Sequence, residues 1–218
     1  MPFKKIGRQL GFLESGSAKI FVGLLAVAAV IALSQKGSIS HSLLAALPLI
    51  FLSMALLLIL FSFSTRKSSK TAWWYLLIAH VFIICGIAIN MESTNWQQII
   101  MYGSGVIVAY IAGLISLQKI YNIDKEINLD KYHGYVYEQK STAFIFLLAA
   151  PGLIGFPVTA AFIGIDVFFT HIHENQIALI TLISLCFLFV ELAAIRIYCR
   201  IFLRLHKKLN HPVAFRTT

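Results

Sequence analysis

Pro151-Gly152-Leu153-Ile154-Gly155-Phe156-Pro157 is followed at once by Val158-Thr159-Ala160-Ala161-Phe162-Ile163-Gly164-Ile165-Asp166. Around this stretch apolar residues run from Thr142 to Thr170, more than one straight helix needs to cross a hydrocarbon core about 30 Å thick. Pro151 and Pro157 each remove a backbone donor and crowd the carbonyl four residues back, and Gly152 and Gly155 lie between them. The helical ladder is therefore expected to break here. In lipid such a break survives only where protein or a water-filled cavity satisfies the freed backbone groups, and broken helices often line ion or substrate sites. Asp166 then follows in the second half of the apolar run. The plainer alternative is a proline kink with an acid near the membrane surface.

Outward from the break the chain keeps the same character. Its 218 residues are 59% hydrophobic and 12% charged, with a mean hydropathy of +0.82. A soluble core does not use so much apolar sequence. The expectation is one all-α polytopic membrane domain over residues 1–218. About six transmembrane helices are expected, at 18–34, 41–64, 71–90, 98–117, 142–170 and 176–203, the fifth discontinuous at Pro151–Pro157. Residues 1–17, with Lys4, Lys5, Arg8 and Glu14, read as a short surface segment. The first span resembles a signal peptide ending at Ala32-Leu33-Ser34, but the five further spans and the long leading region argue for a retained helix. Trp73-Trp74-Tyr75, near the start of the third span, are amphipathic aromatics of the kind favoured at a membrane interface.

Lysine and arginine number 18 against 9 acids, a net charge of +9. Such a balance suggests nucleic acid, but its distribution has a topological explanation. Six spans put both termini on one side. That side, with the 118–141 loop, carries 4 basic residues up to Lys19, 3 over Arg66–Lys70, 4 in the loop and 6 from Arg196 onward, whereas the opposite loops hold Lys36 alone. Basic residues concentrate on the cytoplasmic face. The expectation is a multi-pass protein of the cytoplasmic (inner) membrane, in contact with lipid, with both termini inside and no nucleic-acid partner.

Ionisable residues within spans are costly and are functional suspects. His80, Asp166, Glu191 and Arg196 qualify. On a continuous helix, Thr159, Asp166, Thr170 and His173, separated by 7, 4 and 3 residues, share one face. Such a stripe from the break to the outer surface suits a proton or ion path, or else simply meets water at the helix end. Thr181, Ser184, Glu191 and Tyr198 share a face by the same arithmetic, and Glu191 must be paired, hydrogen-bonded or protonated. Arg196, Arg200 and Arg204 read as snorkelling anchors. His80 is a proton relay, a haem ligand or a histidine bonded to a neighbouring helix, although a two-histidine haem lacks its second mid-membrane histidine. Gly105, Ala109 and Gly113 form a small-residue packing stripe. Cys85, Cys186 and Cys199 show no metal spacing, and no metal site, cofactor or covalent catalytic motif is expected.

Leu129-Asp130-Lys131-Tyr132-His133-Gly134, then an apolar helix, then Gly152–Pro157 and Phe162-Ile163-Gly164-Ile165-Asp166 resembles the antiporter-like membrane subunits. These occur in respiratory NADH:quinone oxidoreductase (complex I), multi-subunit sodium/proton antiporters and inorganic-carbon-uptake complexes. The resemblance covers about residues 128–210. It implies a discontinuous helix whose Lys or Glu belongs to a proton channel, and a subunit of a proton- or cation-translocating complex, of respiratory or carbon-uptake type. It also implies membrane partner subunits, among them a larger antiporter-like subunit supplying the other half-channel. Ile165 stands where that family keeps its Lys or Glu, and Ala161 where it keeps a glycine. Either the missing half comes from another polypeptide or this is a derived subunit that does not conduct. Two further readings stand beside it: a structural or assembly subunit docking through the Gly105/Ala109/Gly113 face, and a quinone-binding anchor resting on His80 and the interface aromatics.

Overall fold

The computed structural model describes residues 14–125, 127–157, 159–173 and 175–203, and of residues 166–168 the backbone alone. The expected N-terminal surface segment before Glu14 and the anchor Arg204 lie outside the described residues. Among the described residues seven α-helices follow in order: α1 Gly16–Ser34, α2 His41–Ser64, α3 Ser69–Asn90, α4 Trp96–Ile123, α5 Lys140–Ile154, α6 Ala160–Phe169 and α7 Ile177–Phe202, with a 3-10 turn at Lys36–Ser38. Five of them, α1 to α4 and α7, are long and apolar enough to cross a membrane. The chain is a multi-pass helical membrane protein.

Helix starts are set by short polar side chains that accept the free amides of a first turn. Ser15 caps α1, Ser68 caps α3 and Asn95 caps α4. The α4 helix runs past the expected boundary at Leu117 to Ile123. Its last turns are polar, and in water they need no apolar window to stay helical.

The bundle forms around α3. About 72% of its most apolar window is buried, against 22–33% in the other four long helices, and it packs against α2, α4, α1 and α7. Close approach is possible because α3 presents Gly86 to α2, where a Cβ would stand 3.3 Å from the Pro48 carbonyl oxygen. This central place changes the expectation for two of the three interface aromatics. Trp73 and Tyr75 are fully buried, and the Trp73 Nε1–H donates to the Tyr110 carbonyl at 3.0 Å. They are interior packing residues, whereas Trp74 is half-buried on the less covered face of α3 that Leu77, Ile78, Val81 and Ile84 share.

The deciding stretch forms two short helices, of 15 and 10 residues. Pro151 lies inside α5 and does not end it; the chain turns four residues later. Gly155 adopts φ 82°, the left-handed conformation that closes helices at low steric cost. The amides of Gly155 and Phe156 both donate to the Pro151 carbonyl at 3.0 Å. A tight turn follows, with the Thr159 amide on the Phe156 carbonyl at 2.8 Å, and α6 begins at Ala160.

Both pieces lie antiparallel along α4, where the small-residue stripe receives them. A Cβ at Gly105 would stand 2.5 Å from the Ala161 nitrogen, and one at Gly152 3.0 Å from the Ala109 Cβ. At Gly113 it would strike the Trp73 indole. The stripe is thus turned inward. Beside it an apolar groove of about 430 Å³ runs past Ser104, Val108, Ala112, Leu148 and Thr159.

Contacts sort the connections into two ends. At one, Lys36 Nζ donates to the carbonyls of Ala88 and Met91, Asn90 and Gln176 exchange amide hydrogen bonds at 3.0 and 2.9 Å, and His171 meets Gln98 at 3.2 Å. At the other, Arg66 pairs with Asp130 at 3.0 Å. There the amides of His133, Tyr135 and Val136 donate to the carbonyls of Arg200, Ile201 and Phe202, satisfying the last turn of α7.

Candidate functional site

His80 lies on the central helix, at 0% exposure. Its Nδ1 is 2.6 Å from the Tyr102 hydroxyl oxygen on α4. Its Nε2 is buried without a hydrogen-bond partner. Two tautomers fit this geometry. Either the tyrosine hydroxyl donates to Nδ1 and Nε2 carries the proton, or Nδ1–H donates to the tyrosine oxygen and Nε2 is a bare acceptor. Both leave one polar atom of the imidazole unsatisfied, which is uncommon in a folded interior and calls for a reason.

The pair stands where the broken segment crosses α4. A Cβ on Gly164 would be 2.5 Å from the Tyr102 Cβ, so only a glycine lets α6 lie this close. Asp166 follows two residues later on the same helix; its side chain lies outside the described residues. Ile165 folds back over the break. A Cβ on Gly155 would collide with its Cδ1 and stand 3.5 Å from its Cγ1.

The rest of the expected polar stripe does not share one helical face. Thr159 precedes α6, its hydroxyl donating to the Phe156 carbonyl at 2.8 Å. Thr170 and His173 come after α6 has ended at Phe169, and both are exposed. The spacing arithmetic assumed a helix that stops early. On α7, Thr181, Ser184 and Glu191 are exposed, whereas Tyr198 is half-buried beside Phe202, ring centroids 5.4 Å apart. Glu191 faces outward from the bundle, and the His80 pair faces inward.

The arginines of α7 are tied to loops where snorkelling had been expected. Both terminal nitrogens of Arg196 donate to the Thr65 carbonyl at 3.3 Å. Arg200 donates to the Asp130 carbonyl at 3.2 Å and lies over the Tyr132 ring, 4.2 Å from its centroid. Together they fasten the end of α7 to the connections at 65–66 and 130–132. In the same loop, Tyr135 donates to the Asp124 carboxylate. Burial first, then that bond and the nearby acids, push the phenol well above its usual range, so it remains a donor.

Sequence reasoning passed over Tyr102, the amide clamp of Asn90 with Gln176, and the capping role of Lys36. Each depends on which helix end meets which, a fact no spacing encodes. Partial burial lowers the pKa of the Lys36 ammonium, whose place at the C-terminal carbonyls of α3 is where a helix favours positive charge. Among the described residues no three His, Cys, Asp or Glu side chains converge as a metal site needs. No protein-family model, curated protein or solved structure matches the chain.

Proposed function

We propose that this chain is a subunit of a multi-subunit proton- or cation-translocating membrane complex, with the His80–Tyr102 pair and Asp166 as its proton-handling groups. In this reading α5 and α6 together form a sixth, discontinuous span. Their lengths of about 22 and 15 Å suffice for the hydrocarbon core, and they lead from the arginine-rich end of the bundle to the Asn90–Gln176 end. Both termini then lie in the cytoplasm. The resemblance to antiporter-like subunits supports this setting, and both the respiratory and the inorganic-carbon-uptake kinds fit it.

One observation carries the proposal. A fully buried imidazole has one nitrogen on a tyrosine hydroxyl and the other unpartnered, at the crossing of α4 by the segment that follows a helix break. Imidazole accepts a proton at one nitrogen and releases it from the other, which makes it a relay when both nitrogens face exchangeable groups. Tyr102 supplies the group at Nδ1. The broken segment brings Asp166 to the same region of the chain, and a proton arriving there would complete the path at Nε2.

The test is proton movement in membrane vesicles carrying the whole complex. His80→Gln keeps a hydrogen-bonding side chain but cannot pass a proton between two ring nitrogens. It should lower the rate by about a hundredfold or more, within the range of acid–base contributions, with the complex still assembled on native gels. Tyr102→Phe and Asp166→Asn should each impair it. Full transport by His80→Gln would end the relay reading.

A non-conducting structural subunit is the second reading, favoured by Ile165. Its apolar side chain covers Gly155 at the break, where the resembled family presents a charge. The same vesicles separate the two, because a scaffold tolerates all three substitutions.

A further inference from the structure

We infer that the outward face of α7 docks a transmembrane helix of another protein, and that this helix places a basic side chain opposite Glu191. The inference deepens the reading above by naming the surface a partner takes. It rests on the chain's having a membrane partner and not on proton movement.

Thr181, Ser184, Leu188, Glu191 and Ile195 are exposed along the outward face of α7, which Ala178 and Leu192 widen. Their spacing belongs to any outward helix face; what marks this one is that Ser184 and Glu191 stand among apolar side chains, while the Thr181 hydroxyl is turned back onto the Ile177 carbonyl at 2.8 Å. Hydroxyls and carboxylates on a membrane-facing stripe are the groups that hydrogen-bond between helices.

Glu191 decides the chemistry of the occupant. It stands roughly 21 Å from the start of α7 and 17 Å from its end, by the rise of a helix, so it lies at the depth of the hydrocarbon core. Among the described residues it has no ion pair. Arg196 on the same helix is not available, since its guanidinium is committed to the Thr65 carbonyl and lies five residues away, about 140° around the axis. A carboxylate facing hydrocarbon is strongly disfavoured unless a cation or donor meets it. A second copy related by twofold symmetry would bring like against like, two Glu191 carboxylates in place of a complementary pair. A partner helix with a lysine, arginine or histidine at that depth satisfies the charge and leaves Leu188 and Ile195 to pack around it.

The experiment uses the full chain in its native membranes, with a photo-crosslinking amino acid at Ser184 or Leu188. The expected adduct joins it to a transmembrane segment of a different protein that contains a basic residue. Glu191→Leu, on a face outside the bundle, should leave the amount of membrane-inserted chain unchanged. It should lower the adduct yield roughly threefold to twentyfold, the range of interhelical polar contacts in membranes. Exchanging the charges, Glu191→Lys against Glu at the partner's basic position, should restore the yield. Adducts with lipid only, with a second copy, or with a segment lacking a basic residue overturn the inference. So does an adduct yield indifferent to Glu191→Leu. Loss of docking shows as a lost adduct, whereas failure of the relay shows as unchanged transport in His80→Gln, so the two are told apart.

Discussion

Gly155 combines two demands that only glycine meets. Its φ of 82° is left-handed, and its missing Cβ leaves space that Ile165 fills. Gly155→Ala should therefore destabilise the protein by roughly 1–3 kcal/mol, the scale of local backbone strain, seen as a lower melting temperature in detergent. The two demands separate in a double variant. With Ile165→Ala the collision disappears and the backbone strain remains, so part of the Gly155→Ala loss should return. A double variant as unstable as the sum of the singles would deny the contact. At this scale the sequence showed that the helix must break but pointed to the prolines. Pro151 is accommodated inside α5, as Pro48 is inside α2. The sign of φ at Gly155 and the return of Ile165 onto it depend on α6 folding back, which no local pattern states.

Helix α4 organises the broken segment by being smooth. Gly113, Ala109 and Gly105 meet Trp73, Gly152 and Ala160–Ala161 in turn, so one stripe seats α3, α5 and α6. Gly113→Ala tests how rigid that seat is. The added Cβ would lie 2.5 Å from Trp73 Cε2, and the indole cannot swing away easily. Its Nε1–H is held by Tyr110, and Phe146 packs on it with ring centroids 4.9 Å apart. Overpacking of this kind destabilises by about 1–3 kcal/mol. Gly103, on the same helix, has nothing within 4 Å of a built Cβ. Gly103→Ala should be neutral or stabilising by up to about 1 kcal/mol from helix propensity, and thermal unfolding of the two variants side by side gives the contrast. The four-residue spacing made this stripe visible in the sequence. Its neighbours were not visible, because small residues permit a close approach without specifying which helix makes it.

At the scale of the whole molecule, span positions were the most legible feature, since hydrocarbon thickness fixes how long an apolar run must be. Depth within the bundle was the least legible. The overall apolarity of α3 lies within the range of the other long helices, yet it is the most buried of them. The proposed orientation rests on where charge collects. Arg66, Lys67, Lys70, Lys125, Lys131, Arg196 and Arg200 belong to the end that holds Asp130 and the α7 terminus. Lys36 is the basic residue of the connections at the opposite end, and it is occupied as a cap on the α3 carbonyls. A cation bound to a helix terminus is a structural fitting, so it does not weaken the charge asymmetry on which the proposed cytoplasmic placement of the arginine-rich end rests. The check is thiol labelling in intact cells, in a background with Cys199 replaced; Cys85 and Cys186 are buried. Ser38, Ser93 and Asn175 are exposed at the Lys36 end, and Lys131 and Tyr137 at the other. Cysteines substituted at the first three should react with an impermeant reagent from outside, and those at the last two only after the membrane is opened. The Asn175 site bears most on the broken segment, because α5 and α6 must cross together for it to share a side with Ser38. Labelling at Ser38 and Ser93 without Asn175 would make α5–α6 a re-entrant hairpin, and the reverse pattern at all five positions would invert the protein.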